Sequence, residues 1–374
     1  MIEQPESVDG DRCPGALRLH QADDGHVARI RVPGGRLTAR QLVALCDLAD
    51  DLGDGCLHLT SRGNVQVRGL AGDVGPALAT RLSAAGLLPS LAHDRVRNVV
   101  ASPAPDLDGV LAEFDAALCA DPRLTALSGR FLFGLDDGSG EILALAPDLA
   151  TQRRSVTNGP TRFQLWVAGV PTGLYDDPVP PLLRAAAAFL DVRPDGAWRV
   201  TDLPAPELAA LRGDTAATGP TSTGHKPHLG GPQTPSRRAT NPTSAEGWMP
   251  LGSAVTSQWR VVASLVREQL AQAQLVLTPW RSVVLRGVTP AEAHTALPDW
   301  GFAADSPQAL TSACIGAPGC AKSLADVRAD AAGLASANPG RRLHVSGCAR
   351  RCGHPIGDHL EAVATSDGYQ VGEH

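Results

Sequence analysis

The chain has 374 residues, of which 43% are hydrophobic and 19% charged, and its formal net charge is -6. This length exceeds what one small core needs, so we expect two or more domains. The acidic balance argues against a general nucleic-acid binder. The opening stretch MIEQPESVDGDRCPG lacks the basic and apolar regions of a secretory signal, and the apolar stretches are too short for a membrane span. We therefore expect a cytoplasmic protein that binds neither nucleic acid nor membrane.

One pattern occurs twice in the sequence. LHLTSRGNVQVRGL at 57–70 returns as LVLTPWRSVVLRGV at 275–288, an offset of 218 positions. The register of the two copies holds without a gap back to Gly34 and Gly252. An offset this long is not that of a repeat array, so it predicts one duplicated module.

The first copy predicts a helix followed by a strand, a turn and a second strand. Thr38 and Gln41 predict a capping box before a helix over 38–52, whose leucines recur at helical spacing. CLHLT then predicts a strand and VQVRG its return after a turn at 61–64. The second copy repeats this order with a helix over 256–270. We therefore predict two α+β modules that pair around a pseudo-twofold axis.

A longer segment follows each copy, and these two segments correspond loosely. RNVVASPAPD at 97–106 matches SACIGAPGCA at 312–321, and RFLFGLDD at 130–137 matches RLHVSGCA at 342–349. Between the two halves, residues 212–247 are rich in Gly, Pro, Ser and Thr, which predicts a flexible linker.

Half of the eight cysteines lie close together in the sequence, with the pattern C-x5-C, 27 residues, C-x3-C: Cys314, Cys320, Cys348 and Cys352. Cytoplasmic thiols stay reduced, so this group favours a metal site over disulfides. The spacing is wider than that of zinc ribbons and suits a 4Fe–4S cluster, with structural zinc as the alternative. An apparent helix over 321–337 follows the first pair, so its N-terminus would face the cluster.

The cysteine motif CIGAPGC…GCARRC resembles that of the siroheme-dependent nitrite and sulfite reductase family, and LTSRGNVQ resembles the arginine-bearing strand-turn motif of the same family. The likeness extends over most of the chain. CPGALRLH, LTPWRSVVL and HVSGCARRCGHP are more similar to the precorrin-3B synthase branch. The reductases usually have Gln at the position of Gly63, and they have two anion-handling lysines where this chain has Arg130 and Leu132.

The resemblance implies an α+β fold of duplicated nitrite/sulfite reductase-like halves with pseudo-twofold symmetry. Each half would contain a ferredoxin-like half-domain and a second lobe. The predicted boundaries are 13–75 for the first half-domain, 76–211 for a lobe without cluster cysteines, 212–247 for the linker, 248–296 for the second half-domain and 297–374 for the 4Fe–4S lobe.

The function implied by the precorrin branch is that of a monooxygenase in aerobic cobalamin biosynthesis. Precorrin-3A and molecular oxygen would give precorrin-3B through hydroxylation of C20 and closure of a lactone by the ring A acetate. The alternatives are a siroheme-dependent nitrite or sulfite reductase, which would bind siroheme, and a non-catalytic tetrapyrrole or redox carrier.

The cofactors implied by the resemblance are a 4Fe–4S cluster on the four cysteines and a mononuclear non-haem iron, for which the sequence gives no ligand set. No dinucleotide-binding fingerprint is present, so we expect an external electron donor, either a ferredoxin or an NADH-linked reductase. His344 and His354 flank the second cysteine pair, and we interpret both as hydrogen-bonded structural residues. His225 and His228 lie in the linker.

Precorrin-3A is rich in carboxylates, so its site needs several fixed cations. Arg68 and Arg286 form a symmetric pair in the two copies. The family motifs imply a substrate-binding set of Arg62, Asn64, Gln66, Arg97, Arg130 and Arg350. The sequence assigns no catalytic residue.

Overall fold

The computed structural model describes residues 13–155, 159–213, 244–267, 275–355 and 357–374, and these residues form four β-sheets. Most of the predicted linker, from 214 to 243, lies outside the described residues, as does the helix predicted for 256–270 from residue 268 onward. None of the described helices is both long and apolar enough to cross a bilayer.

The first half of the chain contains two groups of elements. The first group is β1 (His20–Ala22), β2 (Gly25–Ile30), β3 (Arg36–Leu37), α1 (Ala39–Leu52), β4 (Cys56–Leu59), β5 (Val65–Leu70) and α2 (Gly75–Ala84). The second is β6 (Val99–Ala101), α3 (Asp108–Ala120), β7 (Phe133–Asp136), β8 (Leu149–Arg154), β9 (Arg162–Val167), β10 (Val170–Tyr175), α4 (Val179–Val192) and α5 (Ala205–Arg212).

The second half repeats this plan with fewer elements. Its first group is β11 (Ser244–Trp248), β12 (Ser253–Val255), α6 (Thr256–Arg267), β13 (Leu275–Leu277), β14 (Ser282–Arg286) and α7 (Pro290–Ala296). Its second is α8 (Pro307–Leu310), β15 (Thr311–Ala313), α9 (Val327–Ala337), β16 (Leu343–Ser346), β17 (Leu360–Thr365) and β18 (Gly368–Glu373). The structure starts the second half-domain at β11, slightly before the predicted boundary at 248.

The local elements predicted for the first copy agree with the structure. Gln41 N donates to Thr38 Oγ1 over 3.2 Å, and Thr38 N donates to Gln41 Oε1 over 3.0 Å, so the predicted capping box is confirmed. The leucines of α1 face the core, where Leu42 and Leu45 are fully buried. The two predicted strands appear as β4 and β5, which pair antiparallel.

The two halves exchange their shortest strands. In the first sheet, of order β1-β2-β5-β4-β12, the outer strand β12 comes from the second half and pairs antiparallel with β4. In the second, of order β11-β14-β13-β3, the outer strand β3 comes from the first half and pairs antiparallel with β13. Helices α1 and α6 pack in one hydrophobic core with both sheets. This reciprocal arrangement is the pseudo-twofold relation predicted from the repeat.

The turns after β4 and β13 have the same hydrogen bonds. Thr60 N donates to Asn64 O over 3.0 Å, and Asn64 N donates to Thr60 Oγ1 over 3.1 Å. In the second copy Thr278 N donates to Ser282 O over 2.9 Å, and Ser282 N donates to Thr278 Oγ1 over 3.3 Å. The threonine repeated in the sequence therefore closes the same turn in both halves.

The third position of this turn differs between the copies. Gly63 has φ +65°, and a Cβ there would lie 2.9 Å from Leu277 O, so this tight turn favours glycine. Arg281 occupies the equivalent place with φ +59°, and its Nη2 donates to Gly353 O over 3.3 Å.

One detail of the predicted repeat register is wrong. The 3-10 turns that precede the exchanged strands are Pro33–Gly35 and Pro250–Gly252, which are 217 residues apart. Gly252, with φ +70°, therefore matches Gly35, with φ +72°, instead of Gly34. Strand β12 is one residue longer than β3, and this extra residue restores the offset of 218 before the helices begin.

The lobes that follow the half-domains share a strand plan. The third sheet has the order β10-β9-β8-β7-β6, in which β6, β7 and β8 are parallel and β9 is antiparallel. The fourth has the order β15-β16-β17-β18 with the same sequence of directions. The loose correspondence predicted between the two longer segments is thus present in the topology.

Asp108, at the start of α3, ties the first lobe to the second sheet through one strand from each half of the chain. Arg36 Nε on β3 donates to Asp108 Oδ1 over 3.0 Å, and Arg286 Nη2 on β14 donates to the same oxygen over 3.1 Å. Burial alone would raise the pKa of Asp108, but the hydrogen bond from Arg286 and the charge of Arg36 hold it below its ordinary value. Arg36 is 8% exposed, so loss of its partner would leave a buried cation.

Replacement of Asp108 by Asn should destabilise the protein by about 3 kcal/mol, because an ion in a buried pair loses its partner. Thermal unfolding at pH 7 measures this loss. The control is Asp51→Asn, which breaks an exposed pair with Arg81 and should cost less than about 1 kcal/mol. Since the folded pKa of Asp108 is depressed, the difference between wild type and Asp108→Asn should shrink as pH falls below about 4. Equal effects of the two substitutions at pH 7 would contradict the role given to Asp108.

Candidate functional site

Two of the four cysteines follow neighbouring parallel strands. Cys314 comes directly after β15, and Cys348 follows β16 after Gly347. The two strands pair with Ala313 opposite Val345, so their carboxyl ends lie at one edge of the fourth sheet. Backbone geometry therefore places both thiols at this edge, which we call the cysteine edge.

Cys320 and Cys352 lie in the loops that leave this edge, and the other three thiols are close enough to influence Cys352. The pKa of the Cys352 thiol is raised by partial burial and then by the neighbouring Cys314 and Cys348, with Cys320 adding to the effect. Arg350 acts in the opposite direction. Gly347 N lies 3.2 Å from Cys314 Sγ and donates to it.

The four cysteines supply the number of ligands that either candidate metal site needs. A tetrahedral zinc ion with Zn–S bonds of about 2.3 Å holds its thiolates roughly 3.8 Å apart. A four-iron cluster separates its thiolates more widely, because each one binds a different iron. Among these four described cysteines, no three sulfurs all lie within 4.8 Å of one another.

The helix predicted directly after Cys320 begins later than expected. Residues 321–326 form turns, and α9 begins at Val327. Asp326 is its N-cap, and its side chain accepts a hydrogen bond from Ala329 N over 3.1 Å. The predicted start of this helix at 321 is therefore wrong by six residues, and its orientation toward a cluster stays a prediction.

The first half of the chain supports the loop that carries Cys320. Asp23, in the turn between β1 and β2, accepts a hydrogen bond from Ala321 N over 2.7 Å. Its neighbour Asp24 forms a bidentate pair with Arg68, with both distances 2.8 Å. Arg68, one member of the symmetric arginine pair, therefore orients a structural turn.

One face of the first sheet is polar. The opposite face of this sheet packs against α1. On the polar face, one residue from each of four strands lies in register with the next. Arg29 of β2 pairs with Gln66 of β5, Gln66 with His58 of β4, and His58 with Ser253 of β12. We call these four residues the polar face. Alternation along each strand explains it, because every second side chain points away from the core.

Arg328 on α9 joins the polar face to the cysteine edge. Its Nη2 donates to Ser253 Oγ. Burial lowers the pKa of Arg328, and the thiols of Cys56 and Cys314 oppose this effect. The polar face thus has the cysteine lobe at one end.

At the other end several arginines come together, which we call the arginine group: Arg29, Arg31, Arg62 and Arg199. Burial lowers the pKa of Arg62, and the like charges of Arg199 and Arg29 lower it further. Arg31 is 2% exposed, and its pKa is lowered first by burial and then by Arg29 and Arg62. No carboxylate of the described residues pairs with Arg29 or Arg62 within 4.0 Å, and Arg199 pairs with Asp148, so positive charge is concentrated here.

A buried amide network holds the turn that carries Arg62. Asn98 Oδ1 accepts from Arg31 Nη1 over 3.1 Å and from Asn64 Nδ2 over 3.3 Å, while Asn98 Nδ2 donates to Phe131 O over 3.0 Å. Asn64 is fully buried, and its Oδ1 accepts from Val32 N over 3.0 Å. Asn64, predicted as a substrate contact, therefore has a positioning role in the structure.

The other predicted substrate residues lie in different surroundings. Arg97 is 4% exposed, and its guanidinium donates to both oxygens of Asp115 over 2.8 and 2.7 Å. This internal ion pair corrects its assignment to substrate binding. Arg130 is exposed and stacks on the Trp198 ring at 4.1 Å, and Arg350 is exposed beside Cys352.

The arginine group contains residues that sequence reasoning missed. Arg29 lies on β2 and Arg31 directly follows it, and the alternation of polar and apolar residues in GHVARIRV was the available signal. Arg199 comes from a 3-10 turn after α4, where its Nε donates to Asp148 Oδ2 over 3.1 Å. Nothing in the sequence indicated that this residue lies near Arg62.

A surface depression of about 340 Å³ lies elsewhere, along α6, lined by Ser257, Arg260, Val261, Ser264 and Leu265. Its described lining residues include none of the arginine group or the cysteine edge and no thiol. Arg260, the cation among them, is paired with Asp47 and Asp50. Chemistry therefore places the candidate site on the polar face and not in this depression.

Comparisons with known proteins agree with this fold. Residues 19–85 match the model of the Nitrite/Sulfite reductase ferredoxin-like half domain. The NirA protein of Mycobacterium tuberculosis superposes with a TM-score of 0.64, covering 93% of this chain and 73% of that protein at 18% identity, which shows a common fold. The predicted α+β fold of duplicated nitrite/sulfite reductase-like halves is confirmed.

The chain is similar to precorrin-3B synthase of a Sinorhizobium species, with 27% identity across 96% of this chain and 81% of that protein. It is also similar to ferredoxin–nitrite reductase of Synechococcus elongatus, with 25% identity across 88% of this chain and 74% of that protein. The resemblance to precorrin-3B synthase and to the reductase superfamily, inferred from short motifs, is therefore confirmed.

Replacement of Asn98 by Ala should destabilise the protein by about 2 kcal/mol, because Arg31 and Asn64 lose a shared buried acceptor. Thermal unfolding measures the change. Asn338→Ala is the control, since this residue makes one hydrogen bond to Leu334 O at the end of α9 and should cost less. If Asn98→Ala unfolds no more easily than the control, the network does not hold the turn.

Proposed function

We propose that this chain is an oxidoreductase that acts on a tetrapyrrole, and that its reaction is the oxygen-dependent conversion of precorrin-3A to precorrin-3B. The relatives named above support the broader class, since they are a precorrin synthase and a nitrite reductase. The observation that carries the proposal is the polar face, which has a concentrated arginine group at one end and four thiols at the other.

The arginine group would bind the carboxylates of the substrate. Arg29, Arg31 and Arg62 disfavour each other's charge, so a carboxylate-rich ligand relieves their repulsion. Arginine also forms bidentate hydrogen bonds with carboxylates and keeps its charge at neutral pH. Exposed Arg130 and Arg350 would extend this set, and Gln66 would donate from the middle of the polar face.

The cysteine edge would hold a 4Fe–4S cluster. Cys314 and Cys348 follow adjacent parallel strands, Cys320 and Cys352 lie in the loops that leave the same edge, and Gly347 N donates to Cys314 Sγ. When bound, such a cluster supplies one-electron transfer. The electrons would come from an external donor, a ferredoxin or an NADH-linked reductase.

One residue supports precorrin oxidation over reduction of an inorganic anion. Leu132 is 3% exposed, and its backbone N donates to Asp148 Oδ2 over 2.9 Å. Reductases of this family usually have an anion-handling lysine at this position, whereas this side chain is apolar and internal. The reductase nevertheless remains the second candidate, because similarity to ferredoxin–nitrite reductase spans 88% of the chain.

The decisive experiment is turnover by anaerobically purified protein supplied with precorrin-3A, oxygen and a chemical reductant. A product with a C20 hydroxyl and the ring A lactone supports the proposal. A chlorin-like visible spectrum together with nitrite or sulfite reduction supports the second candidate. Brown protein that binds the tetrapyrrole but converts neither substrate is a carrier, and the enzymatic proposal is then wrong.

Replacement of Cys314 or Cys348 by Ser should abolish the broad absorption near 400 nm and lower iron and acid-labile sulfide to background, because a cluster ligand is lost. Metal binding contributes to folding, so the C-terminal lobe should also unfold at lower temperature. The control is Cys119→Ser, whose thiol lies on α3 outside the cysteine edge. Full iron and sulfide content in both ligand variants would refute the assignment.

Replacement of Arg62 by Ala should weaken binding of a carboxylate-rich tetrapyrrole about tenfold, because a charge-assisted hydrogen bond is worth about 1.5 kcal/mol or more. The dissociation constant is measured by fluorescence titration, and the melting temperature is recorded in parallel. Arg81→Ala, which removes an exposed cation from α2, should leave affinity unchanged. A large fall in melting temperature without a change in affinity would make Arg62 a structural residue.

A further inference from the structure

Three histidines meet beside the cysteine edge, although they are distant in sequence. His359 directly precedes β17 and His374 directly follows β18. The two strands pair antiparallel, and the backbones of His359 and His374 continue the ladder with hydrogen bonds of 3.3 and 3.0 Å. His354 reaches the same place from the loop after Cys352. One ring nitrogen from each histidine can be chosen so that the three nitrogens lie within 4.8 Å of one another.

We propose that His354, His359 and His374 bind a divalent transition-metal ion. Imidazole nitrogens suit zinc, iron, cobalt, nickel and copper. Metal–nitrogen bonds of about 2.1 Å place tetrahedral ligands roughly 3.4 Å apart, so small rotations of the side chains would complete the site. His354 and His374 are exposed and have room for this adjustment, while His359 is buried.

His359 is the pre-oriented member of the group. It is 3% exposed, and its Nδ1 donates to Gly357 O over 2.6 Å, because a carbonyl can only accept. This bond leaves the Nε2 lone pair for another partner, and among the described residues buried Nε2 has no hydrogen-bond donor. A ligating histidine typically has this arrangement, with one ring nitrogen held by a carbonyl and the other on the metal.

A buried carboxylate lies near His359. Glu361 lies two residues after His359 on β17, so both side chains are on the same face of the strand. It is 5% exposed, and its Oε2 pairs with Arg351 Nε over 2.9 Å, while buried Oε1 has no hydrogen-bond partner among the described residues. Its negative charge favours a cation at this position.

The proposed histidine site is separate from the cysteine edge and does not rest on the proposed function. Four cysteines would bind their cluster whether or not the imidazoles bind an ion. His354 nevertheless follows Cys352 by two residues, so both sites would share one loop.

Cobalt(II) is the probe for this site, because the high-spin ion gives an electron paramagnetic resonance signal that an oxidised 4Fe–4S cluster lacks. Full-length protein with its native cofactor content is incubated with cobalt and desalted. We expect one cobalt per chain, with imidazole nitrogen coupling in the spin-echo spectrum. His359→Ala and His374→Ala should each lower affinity at least tenfold and remove this coupling, while the absorption near 400 nm stays unchanged.

Two controls separate the alternatives. His294→Ala removes an exposed histidine on α7 and should leave cobalt binding intact. A double His225→Ala, His228→Ala variant tests the residues outside the described structure and should also bind cobalt. The proposal is overturned if wild type retains no cobalt, if the double variant loses it, or if only cysteine substitutions abolish it. Since His374 is exposed, its replacement tests the site even if His359→Ala fails to fold.

Discussion

Reciprocal exchange of two short strands is the constraint on which the rest of the molecule depends. Strands β3 and β12 each complete a sheet that belongs to the other half, so neither ferredoxin-like unit buries its own sheet edge without its partner. This exchange brings Ser253 of the second half to the polar face of the first, where Arg328 binds it. The candidate site is therefore a product of both halves, with its arginines from one and its thiols from the other.

Features that depend on neighbouring residues were predictable from the sequence. The capping box of Thr38 and Gln41, the strands around the repeated threonine and the duplication itself require only local patterns and one long offset. The four cysteines were also recognisable, because a fixed spacing of thiols has few uses. That they meet at one edge follows from two parallel strands, whose pairing the sequence does not state.

Features that depend on distant partners were not predictable. Arg97 looked like a substrate ligand because the position of Asp115 on α3 could not be inferred. The start of α9 was misplaced, since five residues of helix-compatible composition precede Asp326, its N-cap. His359 and His374 are brought together by a hairpin, so their spacing in sequence matches no metal-binding motif. In each case tertiary pairing decided the role of the residue.

The turn position occupied by Gly63 in the first copy and by Arg281 in the second has a different role in each half. In the first copy a Cβ at Gly63 would lie 2.9 Å from Leu277 O, so a side chain at this position would collide with the backbone. In the second copy the same left-handed corner is open, and the arginine there reaches across to Gly353 in the loop between the last cysteine and the histidines. The same backbone corner therefore excludes a side chain in the first half and, in the second, carries an arginine that fastens the loop joining the cysteine edge to the histidines.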